Sequence, residues 1–375
     1  MCALFLRSEK SNHGADAGGA MKNSGDRIIR PEDRILVTGA AGFIGSRVVE
    51  GLLRYGYRNI CCLVRPTSRT ERLEAIRQSF GQEACLEIIK GDLLSSGDCT
   101  QVSREATVIY HLAAARGEKS FPDAFRNTVV STGNLLEAAY QHRILRRFVS
   151  VSSFSVYSNR HKPRRGLLDE ACPVEAKPAL RGDAYSFAKI KQEDIIAEYG
   201  TRFQIPYVIL RPGVVYGQGN ETITPRVGIG TFGLFLHLGG SNPVPLTYVD
   251  NCAEAIVLAG LKSGVDGEVF NVVDDDLPSS RRYLTIYKKK ANRFPSVYIP
   301  RPLSYLLCFL WDKYSAWSGG QLPPVYGLRT WHAYWKKTRY SNEKLKRELG
   351  WEPLVATSDG LERFFESCRR RSGRA

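Results

Sequence analysis

The pattern of apolar and polar positions along the chain has two regimes. From residue 34 to about residue 211, short continuous apolar runs alternate with longer segments of helical periodicity. The runs are Arg34–Thr38, Ile60–Val64, Leu86–Lys90, Thr107–His111, Arg147–Ser152 and Tyr207–Arg211. Phe43–Leu53, Ala124–His142 and Tyr185–Tyr199 read as helices. Strands that are apolar without alternation are buried on both faces, so this order predicts a parallel sheet covered by helices on each side. After residue 212 the alternation weakens. Gly and Pro are frequent from Gly213 to Pro245, Val249–Leu261 reads as a helix, and Pro300–Trp317 is apolar and aromatic, as a buried or cleft-lining helix would be. The predicted fold class is α/β: a Rossmann-type doubly wound parallel sheet over residues 33–212, with a smaller C-terminal substrate-binding lobe over 213–360 that returns some elements to the sheet. Residues 1–32 read as an unstructured lead-in and 361–375 as a basic tail.

Composition narrows the function classes. The 375 residues carry a net charge of +15, high enough to raise nucleic acid or an anionic membrane as partners. The basic residues form no stripe interleaved with aromatics, so no nucleic-acid partner is expected. Peripheral membrane contact through the apolar Leu303–Leu310 segment, flanked by basic residues, is compatible with the pattern. Nine cysteines without a Cys-x-x-Cys pair predict reduced thiols and no metal. No apolar run is long enough to span a bilayer, and Met1–Leu6 is too short for a signal peptide. A cytoplasmic location is expected, and a homodimer is compatible with the sequence.

Candidate chemistry begins at Thr38-Gly39-Ala40-Ala41-Gly42-Phe43-Ile44-Gly45, between the first strand and its helix. Glycines at three-residue intervals there allow a tight turn, close approach of a pyrophosphate to the backbone, and close packing of helix on strand. The helix N-terminus then faces the phosphates. The second strand ends in Val64-Arg65-Pro66-Thr67-Ser68-Arg69. An acid at that point would bind a ribose 2′-hydroxyl, whereas arginine suits a 2′-phosphate, so NADP(H) is favoured over NAD(H). Tyr185 and Lys189, four residues apart, share a helix face. A cation beside a phenol lowers its pKa and makes proton exchange with an alcohol or ketone feasible. Val151-Ser152-Ser153-Phe154-Ser155, at the carboxyl end of the fifth strand, offers several serines to polarise a substrate oxygen.

In combination these motifs resemble the extended short-chain dehydrogenases/reductases, in the branch that contains nucleotide-sugar epimerases and 3β-hydroxysteroid-dehydrogenase-like enzymes. Further matching segments are Gly91-Asp92-Leu93, His111-Leu112-Ala113-Ala114, Arg211-Pro212-Gly213 and Glu348-Leu349-Gly350-Trp351-Glu352-Pro353. The resemblance implies a Ser153, Tyr185, Lys189 trio, Ser153 being four residues before Tyr157. It implies that Asp92 meets the adenine, that Leu112–Ala114 run beside the cofactor's ribose, and that Lys189 also touches the nicotinamide ribose. It assigns the glycine turn with Phe43 and Ile44, Leu93 and Pro212 to the cofactor's surroundings, and has Asn127 holding the active-site helices. Nucleotide-sugar members carry an arginine for the substrate pyrophosphate where this chain reads Pro243-Val244-Pro245-Leu246-Thr247-Tyr248-Val249-Asp250. A small-molecule secondary alcohol or ketone with a largely apolar, steroid-like skeleton is therefore the expected substrate. A nucleotide-sugar epimerase or dehydratase is the alternative.

Overall fold

The computed structural model describes residues 27–81, 85–114, 120–158, 160, 166–220, 222–319, 321–322 and 326–371. In the first part of the chain β1 (Ile35–Thr38), α1 (Gly45–Arg54), β2 (Asn59–Val64), α2 (Glu71–Phe80), β3 (Cys85–Lys90), α3 (Ser96–Ser103) and β4 (Val108–His111) alternate. Next, α4 (Phe121–Phe125) runs through a π-helical turn (Arg126–Val130) into α5 (Ser131–His142), followed by β5 (Arg147–Val151), the two-residue β6 (Leu167–Leu168), α6 (Ala184–Phe203) and β7 (Tyr207–Pro212). The short strands β8 (Val214–Tyr216), β9 (Gly228–Thr231), β10 (Leu234–His237) and β11 (Leu246–Tyr248) come before α7 (Val249–Leu261) and β12 (Val269–Val272). The chain finishes with α8 (Ser280–Lys290), β13 (Ser296–Tyr298), α9 (Arg301–Trp317), α10 (Leu328–Tyr334), β14 (Arg339–Tyr340), α11 (Glu343–Leu349) and α12 (Thr357–Arg371).

Seven strands form one sheet in the order β12-β7-β5-β4-β1-β2-β3, every neighbouring pair parallel. The side chains of each strand divide between two cores. Ile35, Val37, Ile60 and Cys62 pack with α1 and α7 on one face, while Leu36, Cys61, Leu63 and Ile109 pack with α3, α5 and α6 on the other. Strands of this kind carry no polar face, which is why they read as unbroken apolar runs. This is the expected doubly wound α/β fold. β12 returns from the C-terminal part to lie beside β7.

Three expectations need correction. Within the expected unstructured lead-in, residues 27–32 are in place: Ile28 N–H donates to Leu261 O at 3.0 Å and Ile29 is buried. Residues 1–26 lie outside the described residues. The expected basic tail is helical as far as Arg371, because Leu361, Phe364, Phe365 and Cys368 form an apolar stripe buried in the C-terminal lobe. Its last four residues lie outside the described ones. The apolar Pro300–Trp317 segment is a helix, but it is neither core nor buried, since only Ser304, Cys308 and Ser315 of α9 are buried.

Candidate active site

The glycine turn is built as tightly as its spacing implies. Gly39 has φ +69°, and a Cβ there would lie 2.8 Å from Ala113 N. A Cβ on Gly45 would lie 2.2 Å from Gly39 O, and one on Gly42 would lie 3.0 Å from the same oxygen. The turn is thus clamped against Leu112 and Ala113 just after β4, where Leu112 N–H donates to Thr38 O at 3.2 Å. Ile44 precedes α1 without a side-chain cap; Ser46 N–H and Arg47 N–H already donate to Gly42 O and Ile44 O, so a phosphate would be met by the turn just ahead of them. Phe43 lies under the Arg47 guanidinium, 5.4 Å from it. These residues fit a dinucleotide.

Arg65 and the two residues after it are exposed just past the end of β2, in a turn closed by Ser68 N–H to Arg65 O at 2.9 Å. Asp92 is exposed after β3 and accepts from Leu94 N–H at 2.9 Å, which orders the Asp92-Leu93 turn. Pro212 ends β7 and is buried.

α6 presents the candidate catalytic pair, Tyr185 and Lys189. Its N-cap is Asp183, whose Oδ1 accepts from Tyr185 N–H at 3.1 Å and from Ser186 N–H at 3.3 Å. Such a cap fixes the first turn, and losing one typically costs about 1 kcal/mol. Ala184 and Ala188 pack against Ala124 of α4, with the Phe187 ring edge-on to Phe121. That leaves Tyr185, Lys189, Gln192 and Ile196 as a second stripe, and Ile196 at its end is buried against the sheet. Tyr185 is half-buried, and Lys189 is 4% exposed.

The Lys189 ammonium donates to Val151 O at 2.6 Å, two residues before Ser153, and to Gln192 Oε1 at 2.9 Å. Burial pushes its pKa down to about 8, against the opposing pull of Glu193. A wider chain of bonds stands behind it. Gln192 Nε2 donates to Thr132 Oγ1 at 2.9 Å, and the Thr132 hydroxyl donates to Thr128 O at 2.5 Å. Thr132 has only that proton to give, so the 2.9 Å contact to His111 Nε2 has the ring donating. His111 Nδ1 then accepts from Thr38 Oγ1 at 2.8 Å. Burial pushes His111 down to about 3, so the ring is neutral and structural. The lysine, α5 and the strand below the glycine turn are tied together by one buried relay.

The two serines after β5 have different environments. Ser152 is buried, and its hydroxyl donates to Glu193 Oε1. Glu193 is itself held by Arg211, Nε to Oε1 at 3.0 Å and a second nitrogen to Oε2 at 2.6 Å. Arg211 also donates to the Tyr157 hydroxyl at 3.0 Å, which donates to Asn271 Oδ1 at 2.7 Å. Ser153 is half-buried instead, and its Oγ accepts from Ser155 N–H at 3.1 Å while keeping its own proton to donate. Of the two, Ser153 is the one whose proton the chain leaves available to a substrate oxygen.

Sequence reasoning did not single out Gln192, Thr132, Glu193 or Arg181. Arg181, 2% exposed, donates to Ser155 O and lies 5.3 Å from the Tyr334 ring, bracing the loop before α6. Asn127 is exposed within the π-helical turn, a local widening that often marks functional sites. Its backbone oxygen accepts from Ser131 Oγ at 2.9 Å. A basic cavity is lined by Arg47, Arg72, Asp250, Glu254 and Arg363, and none of the predicted site residues lines it.

Residues 35–272 match the NAD dependent epimerase/dehydratase family. The chain belongs to that family. The family is of the extended short-chain dehydrogenase/reductase type, as the motifs implied.

Relatives fall into two groups. A trifunctional UDP-glucose 4,6-dehydratase/UDP-4-keto-6-deoxy-D-glucose 3,5-epimerase/UDP-4-keto-L-rhamnose-reductase of Arabidopsis thaliana is 30% identical over 261 residues, covering 66% of this chain and only 38% of that protein. A 3beta-hydroxysteroid-dehydrogenase/decarboxylase, isoform 1, of the same plant is 24% identical over 375 residues, 91% of this chain and 80% of that one. A 3 beta-hydroxysteroid dehydrogenase/Delta 5→4-isomerase of Mycobacterium tuberculosis is 26% identical over 359 residues, 91% and 92% of the two chains. The UDP-glucuronic acid 4-epimerase of Bacillus cereus, solved with NAD, superposes with a TM-score of 0.66 at 24% identity over 91% of this chain and 98% of that one, which establishes the shared fold.

Proposed function

We propose that this protein interconverts a secondary alcohol and a ketone on a largely apolar, steroid-like skeleton, with Ser153, Tyr185 and Lys189 as its catalytic trio and NADP(H) as the preferred cofactor. The observation that carries the substrate class is the segment Val244-Pro245-Leu246. Val244 and Leu246 are buried, and β11 pairs with β8, so buried apolar side chains fill the segment in which, by the resemblance, nucleotide-sugar members carry an arginine for the substrate pyrophosphate. A bidentate clamp on phosphate is not replaced by proline or leucine. Two other arginines, Arg226 and Arg281, lie on the C-terminal lobe, and neither is shown at this segment. Arg226 is buried and donates to Ala333 O at 2.9 Å; Arg281 lies over the Tyr298 ring. The steroid-dehydrogenase relatives also align through the C-terminal lobe, whereas the trifunctional dehydratase aligns over two thirds of the chain. The outward-facing α9 contributes nothing to this argument.

In the oxidation direction Ser153 donates its proton in a hydrogen bond to the substrate oxygen, and the Tyr185 phenolate takes the hydroxyl proton as the carbinol C–H bond breaks. Lys189, held by Val151 O and Gln192, favours the phenolate by its charge. A bound nicotinamide would supply the hydride acceptor in this direction and the donor in the other. Arg65, exposed beyond β2 with no carboxylate between it and Glu71, supports recognition of a 2′-phosphate.

The competing reading, a nucleotide-sugar epimerase or dehydratase, is favoured by the 30% identity to the trifunctional plant enzyme. A panel of sterol-like secondary alcohols and of UDP-sugars, followed by nicotinamide absorbance and by product analysis, separates the two. Turnover of a sterol-like alcohol with no UDP-sugar chemistry is expected. UDP-sugar turnover at micromolar concentrations overturns the substrate class.

A further inference from the structure

α9 is packed inside out. Its inward positions Ser304, Cys308 and Ser315 are small, and Trp331 Nε1–H of α10 donates to Ser304 Oγ at 3.0 Å. Its large apolar residues face water: Leu303, Leu306, Leu307, Leu310, Tyr314 and Trp317 are 44–80% exposed. Their spacing of three and four makes one continuous stripe along the 17-residue helix, about 25 Å in length. A surface helix ordinarily puts that stripe against the core, and a contiguous exposed apolar patch marks an interaction surface.

The charge around this ridge identifies its partner. Between Leu277 and Asn342 the chain has twelve Lys and Arg residues and a single acid, Asp312, so this stretch carries +11 of the net +15. Asp312 is turned to α10, accepting from Leu328 N–H at 2.9 Å. Arg329 and Lys290 are paired with Glu175 and Glu362, while two other cations border exposed apolar rings directly. The Arg281 guanidinium lies 5.2 Å from the centre of the exposed Tyr298 ring, and Lys313 Nζ lies 5.5 Å from that of Phe309. A second copy of this chain would meet the same positive segment and be repelled, whereas an anionic lipid surface satisfies both ridge and cations. No helix among the described residues is long and apolar enough to cross a membrane, which leaves binding in the plane of the interface.

We propose that α9 docks the protein on anionic bilayers, its Leu303–Trp317 ridge lying at the boundary of headgroups and acyl chains. The proposal rests on the outer face of the C-terminal lobe and is independent of the substrate reading. The test is co-sedimentation of the full chain with vesicles of phosphatidylcholine alone and of phosphatidylcholine mixed with phosphatidylserine. Wild type should bind the mixed vesicles. Leu306→Glu with Leu310→Glu, both at exposed positions, should leave the melting temperature unchanged and lower partitioning by at least about tenfold, because two apolar side chains are lost from the interface. Arg281→Glu with Lys313→Glu should also weaken binding and reduce its dependence on salt. The proposal is overturned if wild type ignores the mixed vesicles, or if either double variant binds as wild type does. It is overturned equally if wild type forms a dimer that the leucine variant splits while neither protein binds lipid.

Discussion

The Lys189 ammonium and the Gln192 side-chain oxygen are 2.9 Å apart, one turn of α6 from each other. Gln192 in turn donates to Thr132, which also receives the Nε2 proton of His111. The lysine is therefore aimed by an amide whose own orientation is fixed. Gln192→Ala removes one of the two oxygens that receive the ammonium. A hydrogen bond to a charged group contributes about 1.5 kcal/mol or more, so turnover should fall roughly tenfold with little change in cofactor affinity. Gln192→Glu places a carboxylate against the ammonium and raises its pKa. The pH–rate limb governed by Lys189 should then move to higher pH, a shift that a merely structural role for Gln192 would not produce. An unmoved limb in that variant argues against the positioning role.

Ser152 and Ser153 should separate cleanly under mutation. Ser153→Ala removes the hydroxyl left to the substrate and should lower turnover while the fold persists. Ser152→Ala leaves the Glu193 carboxylate with its two bonds from Arg211, so its main effect should be on stability, about 1–2 kcal/mol for a lost buried bond to a charged group. Steady-state kinetics with urea unfolding of both variants reads the difference. Equal losses of turnover would mean that the assignment of roles to the two serines is wrong.

The buried ammonium should make the site costly to the fold. Burial lowers Lys189 from the usual 10.5 to about 8. Between those values the unfolded chain binds more protons than the folded one, so this group makes stability rise with pH across that window and imposes its full penalty below it. Lys189→Met should therefore raise stability near neutral pH by about 1–3 kcal/mol while abolishing turnover. The gain should shrink as pH climbs from 8 toward 10.5. Chemical denaturation of both proteins at several pH values tests this, and a variant less stable than wild type at neutral pH contradicts it.

Arg65 is the testable element of the cofactor preference. Fluorescence titration should show tighter binding of NADP(H) than of NAD(H), and Arg65→Asp should reverse the order. Equal affinities for the two cofactors in wild type would remove the preference and leave the fold untouched.

Much of the sheet and the glycine turn was legible because their determinants are local. A strand buried on both faces must be apolar throughout, as at Ile60–Val64, and a turn with φ +69° that abuts Ala113 admits only glycine. Tyr185 and Lys189 were legible because one helical turn separates them. The different environments of Ser152 and Ser153 were not, since they are set by Glu193 and Arg211 on other elements; only the family resemblance pointed to Ser153. Gln192 looked like any polar residue on a helix until Thr132 and His111 were brought beside it. Periodicity marked the apolar stripe of α9 but could not say which way it faced, and the run Arg369-Arg370-Arg371 disguised the stripe that seats α12. The two-residue strands β6 and β14 pair Leu167 with Arg339 across most of the C-terminal half, which no local signal announces.

The proposed mechanism rests on proton exchange between the Tyr185 phenol and the substrate. Tyr185→Phe keeps the ring and removes only the oxygen, so the fold and the cofactor affinity should survive. The decisive measurement is the single-turnover rate of hydride transfer in this variant against wild type at neutral pH, followed by nicotinamide absorbance with a substrate the wild type turns over. A positioned acid–base group contributes ~10²–10⁴ in rate, so a fall of at least about a hundredfold is expected. A variant that transfers hydride at close to the wild-type rate would contradict it.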